Sequence, residues 1–191
     1  MGQKGFFTDT TLCIGCKACE VACKQWNQLP ADGYRLTGHS YDNTTALSAT
    51  TWRHVAFIEQ AQPANGTGKT VNWLMMSDVC KHCANPGCME ACPTDSIIFG
   101  DLDELRTKAK KRVTTLHQRG ETGAYLYGVD EDTSVGNLNA FFLLMDRPSV
   151  YNLPEKPKLP QDNVVPGFMA SLVAATFLTL ATAFSLWSRK K

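Results

Sequence analysis

The eight cysteines of this chain fall into two short runs, and no other feature limits its possible folds so tightly. Cys13, Cys16, Cys19 and Cys23 are spaced C-x2-C-x2-C-x3-C. Cys80, Cys83, Cys88 and Cys92 are spaced C-x2-C-x4-C-x3-C and run into Pro93. This is the ligand spacing of a protein that holds two [4Fe–4S] clusters. Three thiolates in a short loop can wrap one face of a cubane, and the loop then leads into a helix that aims the fourth thiolate at a second cube. Crossed ligation is therefore expected: Cys13, Cys16, Cys19 and Cys92 on one cluster, and Cys80, Cys83, Cys88 and Cys23 on the other. Two other chemistries use close-set cysteines. Four disulfides would suit a secreted chain, and the close C-x-x-C runs without a signal peptide speak for metal instead. Two zinc ions, each held by four cysteines, also use C-x2-C pairs, usually with a longer stretch between them.

A length of 191 residues allows one domain with appendages. The formal charge is +1, and no basic stripe with interleaved aromatics stands out, so a nucleic-acid partner is not expected. The N-terminal MGQKGFFTDTTLC has neither an apolar core segment nor a twin-arginine pair, so no export signal of the chain's own is expected. No nucleophile–base pair or paired carboxylates appear. That suits an electron carrier, which needs no catalytic residues.

The C-terminus is the second strong constraint. Residues 167–187 (GFMASLVAATFLTLATAFSLW) contain no charge and are long enough to cross a bilayer as one helix. Trp187 stands where an interfacial aromatic belongs, and Arg189, Lys190 and Lys191 follow. On a helical wheel Ser171, Ala174, Ala175, Leu178, Ala181, Thr182 and Ser185 share one face. Val173, Phe177, Leu180, Phe184 and Trp187 share the opposite one. Small residues let a partner helix approach, and bulky ones suit lipid. The basic tail leans toward a cytoplasmic C-terminus and an extracytoplasmic domain, an orientation that would require export with a signal-bearing partner. Prolines 148, 154, 157, 160 and 166 mark residues 147–166 as an extended strap that forms no packed element.

The expected organisation is thus α+β: a ferredoxin-like two-cluster domain over residues 1–146 with an inserted segment at 24–79, the strap at 147–166, a transmembrane helix at 167–187 and a basic tail at 188–191. Residues 51–60 (TWRHVAFIEQ), 72–76 (NWLMM), 96–99 (SIIF) and 140–146 read as strands. Asp101 and Glu104 read as a capping-box variant opening a helix with Leu105, Ala109, Val113 and Leu116 on its apolar face, closed by Gly120. Residues 28–50 read as a loop. NGTGKT at 65–70 lacks the first glycine of a phosphate loop, because Pro63 stands there, and reads as a hairpin turn. His82 reads as a loop histidine beside a cluster, and His39, His54 and His117 show no ligand spacing. Lys17, Lys24 and Lys81 flank the cysteines, where positive charge would raise a cluster potential or simply be solvated. Trp26 reads as packing.

Several segments, CIGCKACEVACKQWN, TWRHVAFIE, WLMMSDVCKHC, CPTDSIIFGDLDEL and SVYNLP-E-KP before the membrane helix, resemble the iron–sulfur (beta) subunit of membrane-bound molybdenum- or tungsten-dependent formate dehydrogenases. The resemblance implies a non-catalytic subunit in the cell (inner) membrane. It would take electrons from a molybdopterin catalytic subunit and pass them to a cytochrome b subunit that reduces quinone. Members of that family typically carry four cysteine groups and four clusters. Here the second group begins like the family's second and continues like the segment after its fourth, as though the middle of the usual protein were absent. Eight cysteines suffice for two [4Fe–4S] clusters only. Two other functions use the same motifs: an electron-transfer subunit of another molybdopterin oxidoreductase, and a membrane-tethered iron–sulfur redox sensor.

Overall fold

The computed structural model describes residues 2–33, 38, 42, 44–63, 69–79, 83–129 and 136–188. They form two compact units. The first comprises the described residues up to 129 together with 136–155, and the second comprises 156–188.

A four-stranded sheet carries the first unit. Its strands are β1 (Lys4–Asp9), β4 (Ile97–Asp101), β5 (Tyr125–Tyr127) and β6 (Ala140–Leu144), in the order β4-β1-β6-β5. Strand β1 pairs antiparallel with β4, Phe6 opposite Phe99, and parallel with β6, Phe6 opposite Ala140. Successive side chains on a strand point to opposite faces, and here the two faces differ in what covers them. Phe7, Phe141 and Leu143 face helix α3 (Leu102–Gln118) and pack on Leu102, Leu105, Ala109 and Leu116. Phe6, Ala140 and Ile97 face the cysteines, with Cys19 and Cys88 in the same buried cluster. Phe142 and Leu144 meet Met76, Tyr127 and Tyr151.

The remaining elements complete the cysteine side. Helix α1 (Ala18–Trp26) and the short α2 (Gly87–Glu90) pack together. Between them in sequence, β2 (Arg53–Pro63) and β3 (Lys69–Val79) form an antiparallel hairpin, Val55 opposite Ser77. This hairpin lies within the expected insertion. The buried Glu20 of α1 pins it, accepting the Val55 N–H through Oε1 at 2.6 Å. The described residues of 28–50 contain no helix or strand, as expected.

Helix α3 matches its sequence signals closely. Leu105, Ala109 and Leu116 are buried, Val113 packs against them, and Gly120 adopts φ +93° just past the end. Asp101 caps it by accepting the Asp103 N–H at 3.1 Å, so the bond runs to the second helical residue and not to Glu104. The strand expectations hold in position and differ in length. NWLMM is the middle of an 11-residue strand, TWRHVAFIEQ starts at Arg53 and continues to Pro63, and SIIF begins pairing at Ile97 and ends at Asp101.

The proline-rich stretch departs from its expected extended form. Residues Pro148–Tyr151 form a 3-10 turn whose Tyr151 is 1% exposed beneath β6, and Tyr127 donates its hydroxyl proton to the Pro154 carbonyl at 2.9 Å. An aromatic seated in a pocket supplies the burial that the prolines alone do not predict. In the second unit a 3-10 turn at Pro160–Asn163 leads directly into α4 (Val164–Ser188). The helix therefore begins before Pro166, which sits in its first turn, where a proline ring is tolerated. Within the span Pro160–Ser188 an apolar 18-residue window has a mean hydropathy of 1.9, and none of it is buried.

Candidate metal centre

The first cysteine loop is launched by a polar turn. Asp9, at the end of β1 and 2% exposed, accepts the Thr11 N–H at 2.9 Å through Oδ1 and the Arg112 Nε–H at 2.8 Å through Oδ2. The loop then bends through two left-handed residues, Gly15 at φ +67° and Lys17 at φ 58°. Gly15 has a second constraint. A Cβ there would lie 2.6 Å from Met75 Sδ and 2.7 Å from a Phe57 ring carbon, so only glycine lets the hairpin close over the loop. Cys19 and Cys23 follow one helical turn apart on α1, both buried. The second run repeats the arrangement, with Cys88 on α2 and Cys92 immediately after it. Trp26, 60% exposed, lies against Gly87 and so packs between the two helices' ends.

These pieces bring Cys13, Cys16 and Cys19 of the first run together with Cys92 of the second. The four line one cavity, partly open to solvent, whose lining also includes Lys17, Val55, Ser77, Thr94, Ser96 and Ile97. Cys19 is buried, Cys13 and Cys92 are half-buried, and Cys16 reaches the surface. Among the described residues, no three of His, Cys, Asp and Glu are gathered as a single metal ion requires. A cavity lined by four thiols is a place where a cubane would be held.

Cys23 and Cys88 are buried, Cys83 is half-buried, and Cys80 lies outside the described residues, as do Lys81, His82 and His39. Asn27 Nδ2 approaches Cys23 Sγ at 3.6 Å. Cys88 shares an apolar cluster with Cys19, so the two cysteine groups meet in one interior.

The protonation behaviour of the cage follows from its burial. Burial pushes the Cys19 thiol up to about 11, against the pull of the Ser77 hydroxyl and the Arg53 guanidinium. Burial also raises Cys13, despite the Gly15 N–H. At Cys92 burial acts in the same sense, but the Thr94 N–H and hydroxyl and the N–H groups of Ile97 and Ser96 outweigh it and hold the thiol below its ordinary value. Without metal this cage disfavours thiolate at two of these positions. A coordinated metal removes those protons outright.

Two residues that hold the cage have no cysteine motif to announce them. Ser77 Oγ lies 3.3 Å from Cys19 Sγ, and Arg53 Nη1 donates to Ser77 Oγ at 2.7 Å. Alternation along β2 is the signal that finds Arg53, since it shares a strand face with Val55 and Phe57. Of the flanking lysines, Lys17 lines the cavity, and both Lys17 and Lys24 are paired. Lys17 Nζ pairs with Asp42 at 3.2 Å and Glu20 at 3.5 Å, and Lys24 Nζ pairs with Asp32 at 2.9 Å. His54 is buried beside Glu20 and bonded to Thr44 Oγ1 at 2.9 Å, and His117 Nε2 lies 2.7 Å from the Ala124 carbonyl.

Comparison with known proteins agrees with this geometry. A 4Fe–4S dicluster domain matches residues 12–96, the span that contains all eight cysteines. The iron–sulfur subunit of formate dehydrogenase-O from Escherichia coli is 27% identical over 223 aligned residues, covering 80% of this chain and 71% of that protein. The aligned length exceeds the 191 residues of this chain, so the relative has residues with no counterpart here. The iron–sulfur subunit of the nitrate-inducible formate dehydrogenase of Escherichia coli is 43% identical over 91 residues, 48% of this chain and 29% of that protein. A subunit of the anaerobic dimethyl sulfoxide reductase of Haemophilus influenzae is 31% identical over 103 residues, 51% of this chain and 41% of that protein. Residues 12–96 thus match a 4Fe–4S dicluster domain, and the chain is similar to the iron–sulfur subunits of formate dehydrogenases.

Proposed function

We propose that this chain is a non-catalytic electron-transfer subunit that relays electrons through two [4Fe–4S] clusters. Its donor is a molybdopterin catalytic subunit of the formate dehydrogenase kind, and its acceptor is a cytochrome b subunit and the quinone pool of the cell membrane. Cys13, Cys16, Cys19 and Cys92 hold one cluster, and Cys80, Cys83, Cys88 and Cys23 hold the other. The observation that carries the reading is the cavity in which three thiols of the first run meet the fourth of the second. Crossed ligation accounts for that arrangement.

When bound, each cluster supplies reversible one-electron chemistry at a potential set by charge, hydrogen bonds and solvent access. The protein's own residues do the rest. Phe6, Val55, Ile97 and Ala140 exclude water from the interior shared by the two cysteine groups. The N–H groups of Thr94, Ser96 and Ile97 direct hydrogen bonds at Cys92, which bears on the potential. Cys16 and the neighbouring Ile14, 59% exposed, bring one edge of the cage to the surface, where a redox partner docks. Helix α4 anchors the subunit in a single pass, its small-residue face against a membrane partner helix and its bulky face in lipid. The C-terminus lies in the cytoplasm and the cluster domain on the opposite side.

The test is purification from the native membrane with its associated subunits. A large molybdenum or tungsten subunit should co-purify, and formate should reduce the clusters. The similarity to a dimethyl sulfoxide reductase subunit favours one second reading, an electron-transfer subunit of another molybdopterin oxidoreductase. Clusters that formate leaves oxidised, and that a sulfoxide or polysulfide oxidises once reduced, would establish it. A chain that works alone as a redox sensor would bring neither subunit.

A further inference from the structure

Arg53 is 1% exposed, and its guanidinium cannot escape burial by losing a proton. A buried charge without a counter-charge is costly, so such groups are ordinarily paired. Among the described residues no carboxylate pairs with Arg53. Its Nε and Nη2 are buried with no hydrogen-bond partner among them. Its neighbours are instead the Phe6 ring, 5.7 Å from the guanidinium carbon, and the hydroxyl of Ser77, itself 1% exposed.

The direction of the hydrogen bonds follows from donor chemistry. A guanidinium only donates, so Ser77 Oγ accepts from Arg53 Nη1 at 2.7 Å. The serine's own proton is then free for Cys19 Sγ, 3.3 Å away. The result is an ordered N–H···O–H···S chain from a buried cation to a cysteine of the cage. Lys17 and Lys24, the basic residues nearest the first run in sequence, are each paired to a carboxylate. Arg53 is not.

We propose that Arg53, directly and through Ser77, is a positioning residue that raises the reduction potential of the cluster held by Cys13, Cys16, Cys19 and Cys92. The proposal rests on the ligand assignment made above. A cubane bound by four thiolates is an anion, and reduction adds one more negative charge. A fixed cation in a dry interior stabilises the reduced form more than the oxidised one. A hydrogen bond to the Cys19 sulfur acts in the same sense. The counter-charge that no described carboxylate supplies to Arg53 is thus the cluster itself.

The test is an EPR-monitored redox titration of the full-length protein in detergent, with iron and sulfide measured for each variant. In Arg53→Gln the reduction equilibrium of one cluster should become at least tenfold less favourable, a midpoint 59 mV lower for a one-electron couple. The other cluster should move less. Ser77→Ala should shift the same wave in the same direction by a smaller factor, and Arg53→Lys should lie between wild type and Arg53→Gln. Full iron content with both waves unmoved in Arg53→Gln, or with both moved equally, overturns the proposal. If Arg53→Gln loses iron, Ser77→Ala and Arg53→Lys decide, and two unmoved potentials in iron-replete protein overturn it. Wild-type protein without about eight iron and eight sulfide per chain would sink the ligand assignment instead, a failure distinct from any of these.

Discussion

Strand β6 and helix α4 are the two most apolar stretches of the chain, and their surroundings are opposite. All five residues of β6, AFFLL, are buried. None of the 25 residues of α4 is, and Phe177 is 75% exposed. The chain itself supplies the cover for β6: Leu105, Ala109 and Leu116 of α3 on one face, Met76 and Tyr151 on the other. Helix α4 is apolar along its length, and none of its residues is buried. A 25-residue helix is about 37 Å long at 1.5 Å per residue, against a hydrocarbon core of about 30 Å. The cluster domain thus closes its own core, while α4 is long and apolar enough to cross a bilayer. Its small residues share one face, the face proposed above to meet another helix.

Damage to the two regions should therefore have separable consequences. The largest effect is expected from Phe141→Ala, which removes a fully buried ring stacked 5.3 Å from Phe7. It should cost about 3–5 kcal/mol of domain stability, read by denaturant unfolding in detergent, while the helical signal of α4 persists. A loss below about 1 kcal/mol, the range of a conservative swap, would mean that β6 is not the domain's centre. Next is Phe177→Arg at the middle of α4. A charge there disfavours insertion by about 2.5–3.5 kcal/mol. Carbonate extraction should find more of the protein soluble, with its clusters intact. Retention in the membrane at the wild-type level would contradict a spanning role.

Asp9→Asn comes third, because it weakens the charged anchor between Arg112 and the start of the first cysteine loop. The loss should be about 1.5–3 kcal/mol, seen as a lower unfolding midpoint and faster iron release, with no change in membrane partition. The smallest effect, about 1 kcal/mol, is expected from Ala181→Leu on the small-residue face of α4. It should reduce co-purification with a membrane partner, whereas Leu180→Ala on the opposite face should not. Equal effects from the two would remove the case for a helix partner.

The cysteine runs, α3 and the apolar C-terminal helix were legible because each carries a periodic or spaced signal over many residues. What was not legible depends on long-range contact. Strand β1 (KGFFTD) is short, begins with Lys and Gly, and becomes a strand by pairing with β4 and, more than 130 residues on, with β6. β5 has only three residues. The burial of Tyr151 within a proline-rich stretch depends on a pocket formed by β6 and β3. Arg53 lay within the expected strand 51–60 without a role, and charged side chains are seldom buried. The hairpin folding over the first cysteine loop encloses it. The crossed assignment was legible in the spacing, and the cavity of Cys13, Cys16, Cys19 and Cys92 is the geometry in its favour. The partner set contains Cys80, outside the described residues.

The central claim is that eight thiolates hold two cubanes in a shared interior. It is tested most directly by iron, acid-labile sulfide and zinc analysis of the full-length protein purified from its own membrane under anaerobic conditions. Two clusters predict about eight iron and eight sulfide per chain, with a brown colour and negligible zinc. About two zinc ions per colourless chain, as four-cysteine zinc sites would give, would contradict the claim.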